Sequence, residues 1–600
     1  MSSLCVDVLL LQSALPSTSS HAAFSQTADV KFVKPLALRV EETGASDAVF
    51  IVQPTLLATR MVAGAIKQLQ ASPGAARGAP PGFHLLFLPR RSFVADQVLE
   101  EEGVLQDCDT VETCEVDLLP VDEDLLSMEC PAGFGQVFLH GDNSLVAGTA
   151  RALLRLQLLY GMARRVHAKG TLSCACAESL LQHKNDVLHS GSADGIAFNP
   201  SAQLHSIVLL DRSVDLVSPL VSPLSFEALL HEALGLHAGV VSVPPEEVAK
   251  DPNAPEDAPR AKGELARVAL NSSDDVYVDV RDMHISVVPG HLKKQARDLQ
   301  DWYEGRLDLS RTDEIATYVK NITGQQKNVR ATAQMINLVT LVQKHSSSDA
   351  FTARWQMERS MLDTDNERGV LAYLLELMAQ QEDVTTVLRL LCLHSQCMGG
   401  LGRSDMDLLR QSVLDAYGFE HILTLEHLER CGLLRSGGQG VLSFAGLGGG
   451  GKAWPWSSLR NDLGLVAQAV DVQHPSSPHY LTSGYAPLSS HIAHLAAKDA
   501  WGGQAAMKSV EGPSLSLLQL PGQQTTQAAQ DAYVRATTST SAGASSAADT
   551  DVRRTVIVAF VGGVSYLEVA ALRFISEHGK RHCCCFITTP LHPLYFRRAV

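Results

Sequence analysis

The sequence predicts an α/β protein whose parallel sheets are interrupted by a long helical segment. Short apolar, β-branched runs cluster towards both ends of the chain, helical patterns separate them, and the middle carries helical periodicity alone. The runs are Ala48 to Val52, Phe83 to Pro89, His205 to Asp211, Thr555 to Gly563 and Cys583 to Thr589. Each is apolar almost throughout, as a strand buried on both faces must be.

Taken in order, the first run is followed by LLATRMVAGAIKQLQ and the second by FVADQVLEEEG, both with the apolar spacing of a helix packed on one side. Strand, helix and strand in succession imply a parallel sheet with helices on its faces. From about Val287 to Leu434 nearly every segment has a 3.6-residue apolar period, as at Val329, Ala333, Ile336 and Thr340, without a convincing strand. The two strands near the end therefore return to complete a sheet begun before the helical middle. Ala71 to Gly82, Val243 to Gly263, the glycine tract around Gly448 and the run from Gly522 to Thr550 lack the apolar content of packed elements and read as loops or linkers.

Six hundred residues exceed one core, so several domains are expected. A composition of 45% hydrophobic and 19% charged residues is that of an ordinary globular protein, and a net charge of -16 argues against nucleic acid as partner. No segment reaches about eighteen uninterrupted apolar residues and the N-terminus lacks a signal-peptide pattern, so a cytoplasmic protein that meets membranes only indirectly is expected. Twelve cysteines, scattered or clumped as Cys174 to Cys176 and Cys583 to Cys585, lack the paired spacing of a structural zinc site and read as reduced thiols. No metal and no cofactor is expected.

Gly446 to Lys452 matches most of a P-loop, which raises a nucleotide-binding alternative using Lys452. Ala453 stands where the magnesium-binding hydroxyl belongs, and Pro455 blocks a helix running directly out of the lysine. A flexible loop before a helix starting near Ser457 or Ser458 is the better reading. Asp211, Arg212 and Asp215 follow a strand end, where α/β sheets place ligands. A catalytic carboxylate pair and an arginine tied between two carboxylates at an interdomain turn both fit, and the missing nucleophile favours the structural role. Gly562, Gly563 and Ser565 suit a tight strand-to-helix turn with Ser565 as N-cap, or an anion site. His491 and His494 share a helix face without a third ligand, so half-buried or surface histidines are expected.

Tyr417 to Arg435 has the cadence of a helix-turn-helix in a winged-helix-like unit, but its second helix carries Glu426 and Glu429, a poor face for phosphates. Ile315 to His345 contains Lys320, Lys327, Arg330 and Lys344 and no carboxylate, although the whole chain is acidic. Two helices joined near Thr323 to Gln325 are expected to present these cations beside an apolar stripe. An acidic amphipathic helical partner suits that surface, and the alternative is a solvated face of a helical hairpin.

Several stretches in order resemble the SM family, the Sec and Munc type regulators of SNARE assembly. They include FHLLFLPRRSFVADQVLEEEGV, LLRLQLLYG, SIVLLDRSVDLVSPLVSPLSFEALLHEALG, LRLLCLHSQCMGGL, YGFEHILTLEHLERCGLL, YLTSGYAPLS and VGGVSYLEVAALRF. The resemblance is strongest to the branch that serves the vacuolar HOPS and CORVET tethering complexes. It implies an arch-shaped three-domain fold without catalysis: an α/β domain over 1–135, a discontinuous α/β domain over 136–243 and 480–600, and a helical domain over 244–479. The last would contain a hairpin near 281–345 and a winged-helix-like part near 405–475.

The family binds SNARE proteins along the cleft of the arch and the hairpin, which makes Lys320, Lys327, Arg330 and Ile336 the expected SNARE contacts. The branch also docks on vacuolar protein sorting-associated protein 16 through its later helical part, where Phe419 and Ile422 are the expected anchors. Location on late endosome, vacuole or lysosome membranes follows from the same resemblance. An SM protein of another trafficking step remains an alternative.

Overall fold

The computed structural model describes residues 8–11, 32–36, 47–71, 82–88, 90–114, 116–130, 132–189, 199–201, 204–245, 248, 265–304, 312–436, 456–498, 501, 510–519, 555–578 and 582–587. They fall into two compact units. The first spans Met1–Val121, His237–Val241 and Arg267–Leu270, and the second Asp122–Leu236, Ser242–Ala266 and Asn271–Val600.

The first unit is built on β1 (Val8–Leu11), β2 (Phe32–Pro35), β3 (Asp47–Val52), α1 (Leu56–Gln70), β4 (Gly82–Phe87), α2 (Phe93–Glu101) and β5 (Thr110–Thr113). All five strands are parallel, in the order β2-β1-β3-β4-β5. Phe50, Leu85 and Phe87 meet Val62, Ile66 and Leu99 in its core. Thr55 and Ser92 start the helices by accepting the amides of Ala58 and Ala95 at 3.3 and 3.1 Å.

The second unit begins with β6 (Leu125–Ser127), α3 (Ser144–Tyr160), β7 (Arg165–Lys169), α4 (Thr171–His189), β8 (Leu204–Asp211) and α5 (Phe226–Leu234). Helices then follow one another: α6 (Asp275–Arg281), α7 (Val288–Glu304), α8 (Thr312–Ser346), α9 (Asp349–Asp363), α10 (Glu367–Ala379), α11 (Val384–Cys397), α12 (Arg403–Tyr417), α13 (His421–Arg430), α14 (Trp456–Leu463) and α15 (Leu488–Ala497). The chain closes with β9 (Ser514–Leu518), β10 (Thr555–Val561), α16 (Tyr566–His578) and β11 (His582–Ile587).

Six strands of this unit's sheet follow in the order β9-β7-β8-β10-β11-β6. β8 and β10 pair in parallel with Ile207 opposite Ile557, so the end of the chain does return to the sheet begun before the helices. β9 pairs antiparallel to β7 at the edge. Strands β7 and β9 carry polar residues at alternate positions, and those interruptions hid them from a search for uniformly apolar runs.

One local expectation is corrected. The proposed break near Thr323 to Gln325 does not exist, because α8 runs unbroken for 35 residues. Gly324 costs a helix only about 1 kcal/mol and no proline stops the amide ladder there. α8 pairs with α7 instead to form the hairpin. The glycine tract and Lys452 lie outside the described residues, and α14 starts at Trp456, next to the expected Ser457 or Ser458.

Two buried histidines, His284 and His394, and the half-buried His491 tie stability of the second unit to pH. Burial pushes His284, His394 and His491 down from 6.5 to about 4. Each is neutral in the folded protein and takes a proton more readily when unfolded, so its contribution is complete above pH 6.5 and is lost as pH falls towards 4. Urea unfolding between pH 7 and 4 should show falling stability, and His284→Asn, which keeps polar atoms near the Ser286 and Ser483 hydroxyls, should flatten that slope. A slope unchanged in that variant contradicts the assignment to His284.

Candidate functional site

Buried charge first shows what the polar cluster after β8 does. Asp211 accepts the amides of Leu172 and Ser213 at 2.9 and 3.0 Å, so it caps the start of α4 rather than facing a ligand. Gly170 makes room for it: a Cβ there would lie 2.3 Å from the Asp211 Cβ. Asp215 accepts Ser218 N and Ser489 N at 2.9 and 3.0 Å. Arg212 is held between two carboxylates, but Asp211 is not one of them: the Arg212 Nη2 lies 3.9 Å from the Asp215 Oδ2, and the second partner comes from outside the cluster. Arg212 forks onto Glu568 of α16, with both Nη to Oε distances 2.8 Å, and donates to the Asp215 carbonyl.

Glu568 also accepts the amide and hydroxyl of Ser565, and Ser565 accepts the Glu568 amide, a reciprocal capping box at the start of α16. Burial pushes the Glu568 carboxyl up, but the adjacent Arg212 guanidinium overcomes this and holds it below its ordinary value. Burial raises the Asp211 and Asp215 carboxyls. These carboxylates are spent on internal hydrogen bonds, which makes the cluster a joint between β8 and α16. Among the described residues no group of His, Cys, Asp and Glu is placed to hold a metal ion.

Two further arginines repeat the device. Arg573 reaches Asp124 at 2.7 Å and Glu227 at 2.5 Å, and Glu227 accepts the Tyr277 hydroxyl at 2.5 Å. Arg389 reaches Glu232 and Glu358, both at 2.9 Å, while Glu358 accepts the Ser222 amide at 2.7 Å. The segment from Asp211 to Glu232 is thereby tied to α16 on one side and to α9 and α11 on the other. Sequence reasoning missed Glu358, Arg389, Glu568 and Arg573; the last three each stand as a charge within a largely apolar helical pattern, while Glu358 is one of several charges on α9 and carries no such signal.

The surfaces differ from this fixed interior. On α8, Met335, Leu338, Val339 and Val342 are buried, and α5, α6 and α7 pack against the helix. The other face turns Val329 and Ile336 outwards, each 41% exposed. Thr340 is exposed too, and its hydroxyl donates back to the Ile336 carbonyl at 2.8 Å. The 3.6-residue stripe read from the sequence is therefore largely the outward one, with Ala333 half-buried between. Lys327 and Arg330 are exposed on the same helix, and Lys327 donates to the Ser273 carbonyl at 2.9 Å. Lys320 also falls on α8, but its side chain is outside the described residues.

A second exposed surface lies where α12 turns into α13 at Gly418, whose φ of +102° suits a residue without a Cβ. Phe419 is 78% exposed, with Ile422 and Leu423 beside it at 50% and 65%. The first unit offers a third: Leu56, Leu57, Phe93 and Val94 are all exposed on the opening turns of α1 and α2. Those turns leave neighbouring parallel strands at one edge of the sheet. This surface was not anticipated, although paired large apolar residues at the start of two helices were its signal.

A model of the Sec1 family matches residues 23–592. The chain belongs to the Sec1 family. It is 30% identical to vacuolar protein sorting-associated protein 33A of Rattus norvegicus over 90% of this chain and 83% of the relative. Identity to the vacuolar protein-sorting-associated protein 33 homolog of Arabidopsis thaliana is 27%, over 92% of this chain and 85% of the relative.

Among solved structures, the chain is similar to the SM protein Vps45 in complex with the Qa SNARE Tlg2. The TM-score is 0.60 at 14% identity, covering 100% of this chain and 94% of that one. It is also similar to the Unc18–syntaxin 1 complex from Monosiga brevicollis, with a TM-score of 0.58, 15% identity and coverage of 99% and 95%. These likenesses establish the SM fold, with α/β parts and a helical insertion.

Proposed function

We propose that this Sec1-family chain is a SNARE-binding subunit of a vacuolar or endolysosomal tethering complex of the HOPS or CORVET kind. Its work is mechanical: it offers preformed surfaces on which SNARE segments are held in register, lowering the ordering cost of forming their bundle. The observation that carries this reading is the outward face of α8, where Val329, Ile336 and Thr340 form an apolar stripe within a stretch free of carboxylates. SNARE helices with an apolar seam and acidic flanks fit it, with Lys320, Lys327 and Arg330 steering and Ile336 anchoring. The exposed apolar turns of the first unit provide a further candidate contact. Purified chain titrated with an assembled vacuolar SNARE bundle should bind it, and no binding at low salt removes the reading.

Membership of the complex rests on the vacuolar names of the relatives and on the exposed Phe419 and Ile422. These two are the proposed anchors for vacuolar protein sorting-associated protein 16, and docking there would place the chain peripherally on late endosome, vacuole or lysosome membranes. Centrally buried aromatic anchors carry roughly 2–4 kcal/mol each, so Phe419→Asp should reduce co-purification of that partner at least thirty-fold, on the order of the lower figure. The thermal midpoint should stay unchanged because the side chain is exposed. Retention of the partner by Phe419→Asp and Ile422→Asp places the docking surface elsewhere.

A further inference from the structure

We propose that the end of α3 is a peripheral contact for an anionic lipid surface, independent of the SNARE-binding reading. α3 finishes on three consecutive large residues, Leu158, Leu159 and Tyr160, all exposed, the last two at 75% and 67%. Consecutive helical residues point about 100° apart, so three in a row spread over some 200° of the helix circumference. A groove that takes one helix face would leave part of this tip uncovered. A fluid interface takes a protruding tip from every side, and tyrosine suits the boundary between headgroups and hydrocarbon.

The tip is held rigidly. Gln157, buried one residue before it, accepts the Ala163 amide at 3.1 Å and the Gln519 side-chain amide at 2.9 Å, fastening the helix end to β7 and to the end of β9. Gly161 turns the chain with φ +89°, and a Cβ there would lie 2.9 Å from the Ser201 Cα. Leu158 to Tyr160 are thus presented without an ordering cost to be met on contact.

Charge selects the kind of surface. From Asn143 to Ala177 the sequence has no carboxylate and carries Arg151, Arg155, Arg164, Arg165 and Lys169, in a chain whose net charge is -16. Arg164 is exposed and Arg155 and Arg165 are half-exposed, all within five residues of the tip. The neighbouring α4 ends at the same side and adds one exposed carboxylate, Asp186, with the buried Lys184. Among the described residues, an apolar tip flanked by one exposed and two half-exposed arginines matches an anionic bilayer, where each cation near the surface contributes about 1 kcal/mol, or roughly five-fold in partition. Among the described residues no helix is long and apolar enough to cross a membrane, so this contact is one of lying on, not spanning.

Full-length chain should co-sediment with phosphatidylcholine vesicles containing phosphatidylserine and much less with phosphatidylcholine alone. Leu159→Glu and Tyr160→Glu should abolish that binding with an unchanged thermal midpoint, and Arg164→Glu should weaken it about five-fold or more. Equal binding to both vesicles, no binding to either, or variants that bind like the parent each overturn the proposal. Loss of a protein subunit on Tyr160→Glu, without vesicle binding by the parent, assigns the tip to a protein partner and overturns it equally.

Discussion

Arg212→Ala is expected to destabilise the second unit by about 3–5 kcal/mol, the cost of leaving one partner of a buried ion pair alone. Arg212 is 1% exposed and Glu568 fully buried, so the variant leaves the carboxylate inside the protein without its guanidinium. Glu568 would then lose the interaction that holds it ionised against the push of burial, and would take a proton. Glu568→Ala should cost a similar amount, because it strands the guanidinium and also removes the capping carboxylate from α16. The double variant Arg212→Met with Glu568→Leu should be closer to the parent than either single change, since both charges leave together. Urea unfolding measures all four proteins. A single-variant loss below about 1 kcal/mol would contradict the joint assigned to this pair.

Reversing charge on α8 and burying a carboxylate in its stripe should have the largest effect on binding. Lys327→Glu and Arg330→Glu act at the rim, where each changes association by roughly 0.3–1 kcal/mol and the effect shrinks with salt. Ile336→Glu acts at the centre, where losing a half-exposed aliphatic contact and desolvating a charge costs about 2–3 kcal/mol. The triple variant should therefore bind an assembled SNARE bundle at least about a hundred-fold more weakly at low salt, on the order of the lower summed figure. At high salt the rim share should vanish and the Ile336 share remain. The fold should survive, because all three side chains are exposed, only the Lys327 bond to the Ser273 carbonyl is given up among the bonds named above, and Met335, Leu338, Val339 and Val342 keep the helix packed.

Much of the architecture was legible because buried parallel strands and long helices leave strong periodic signals. Ala48 to Val52 and His205 to Asp211 read as strands from composition alone, and LLATRMVAGAIKQLQ coincides with α1. Short or half-polar strands such as β7 and β9 carry no such signal and are fixed by pairing with distant neighbours. The site divides in the same way. Cations without carboxylates on α8 were visible as composition, and the direction of the stripe was not, because a 3.6-residue period does not say which face is buried. Arg212 could be suspected of an ion pair, but its partner lies 356 residues away. Long-range pairing of that kind is set by the sheet that brings β8 beside β10, and one sequence does not display it.

SNARE helices are proposed to lie on the outward face of α8. A photo-crosslinking residue placed singly at positions 329, 336 and 340 tests this most directly, with controls at the exposed Leu408 and Lys498. Strong crosslinks are expected from 329, 336 and 340 to an added SNARE bundle, weakened by excess unlabelled bundle, and none from the controls. Equal yields at all five positions, or crosslinks from the controls alone, would contradict it.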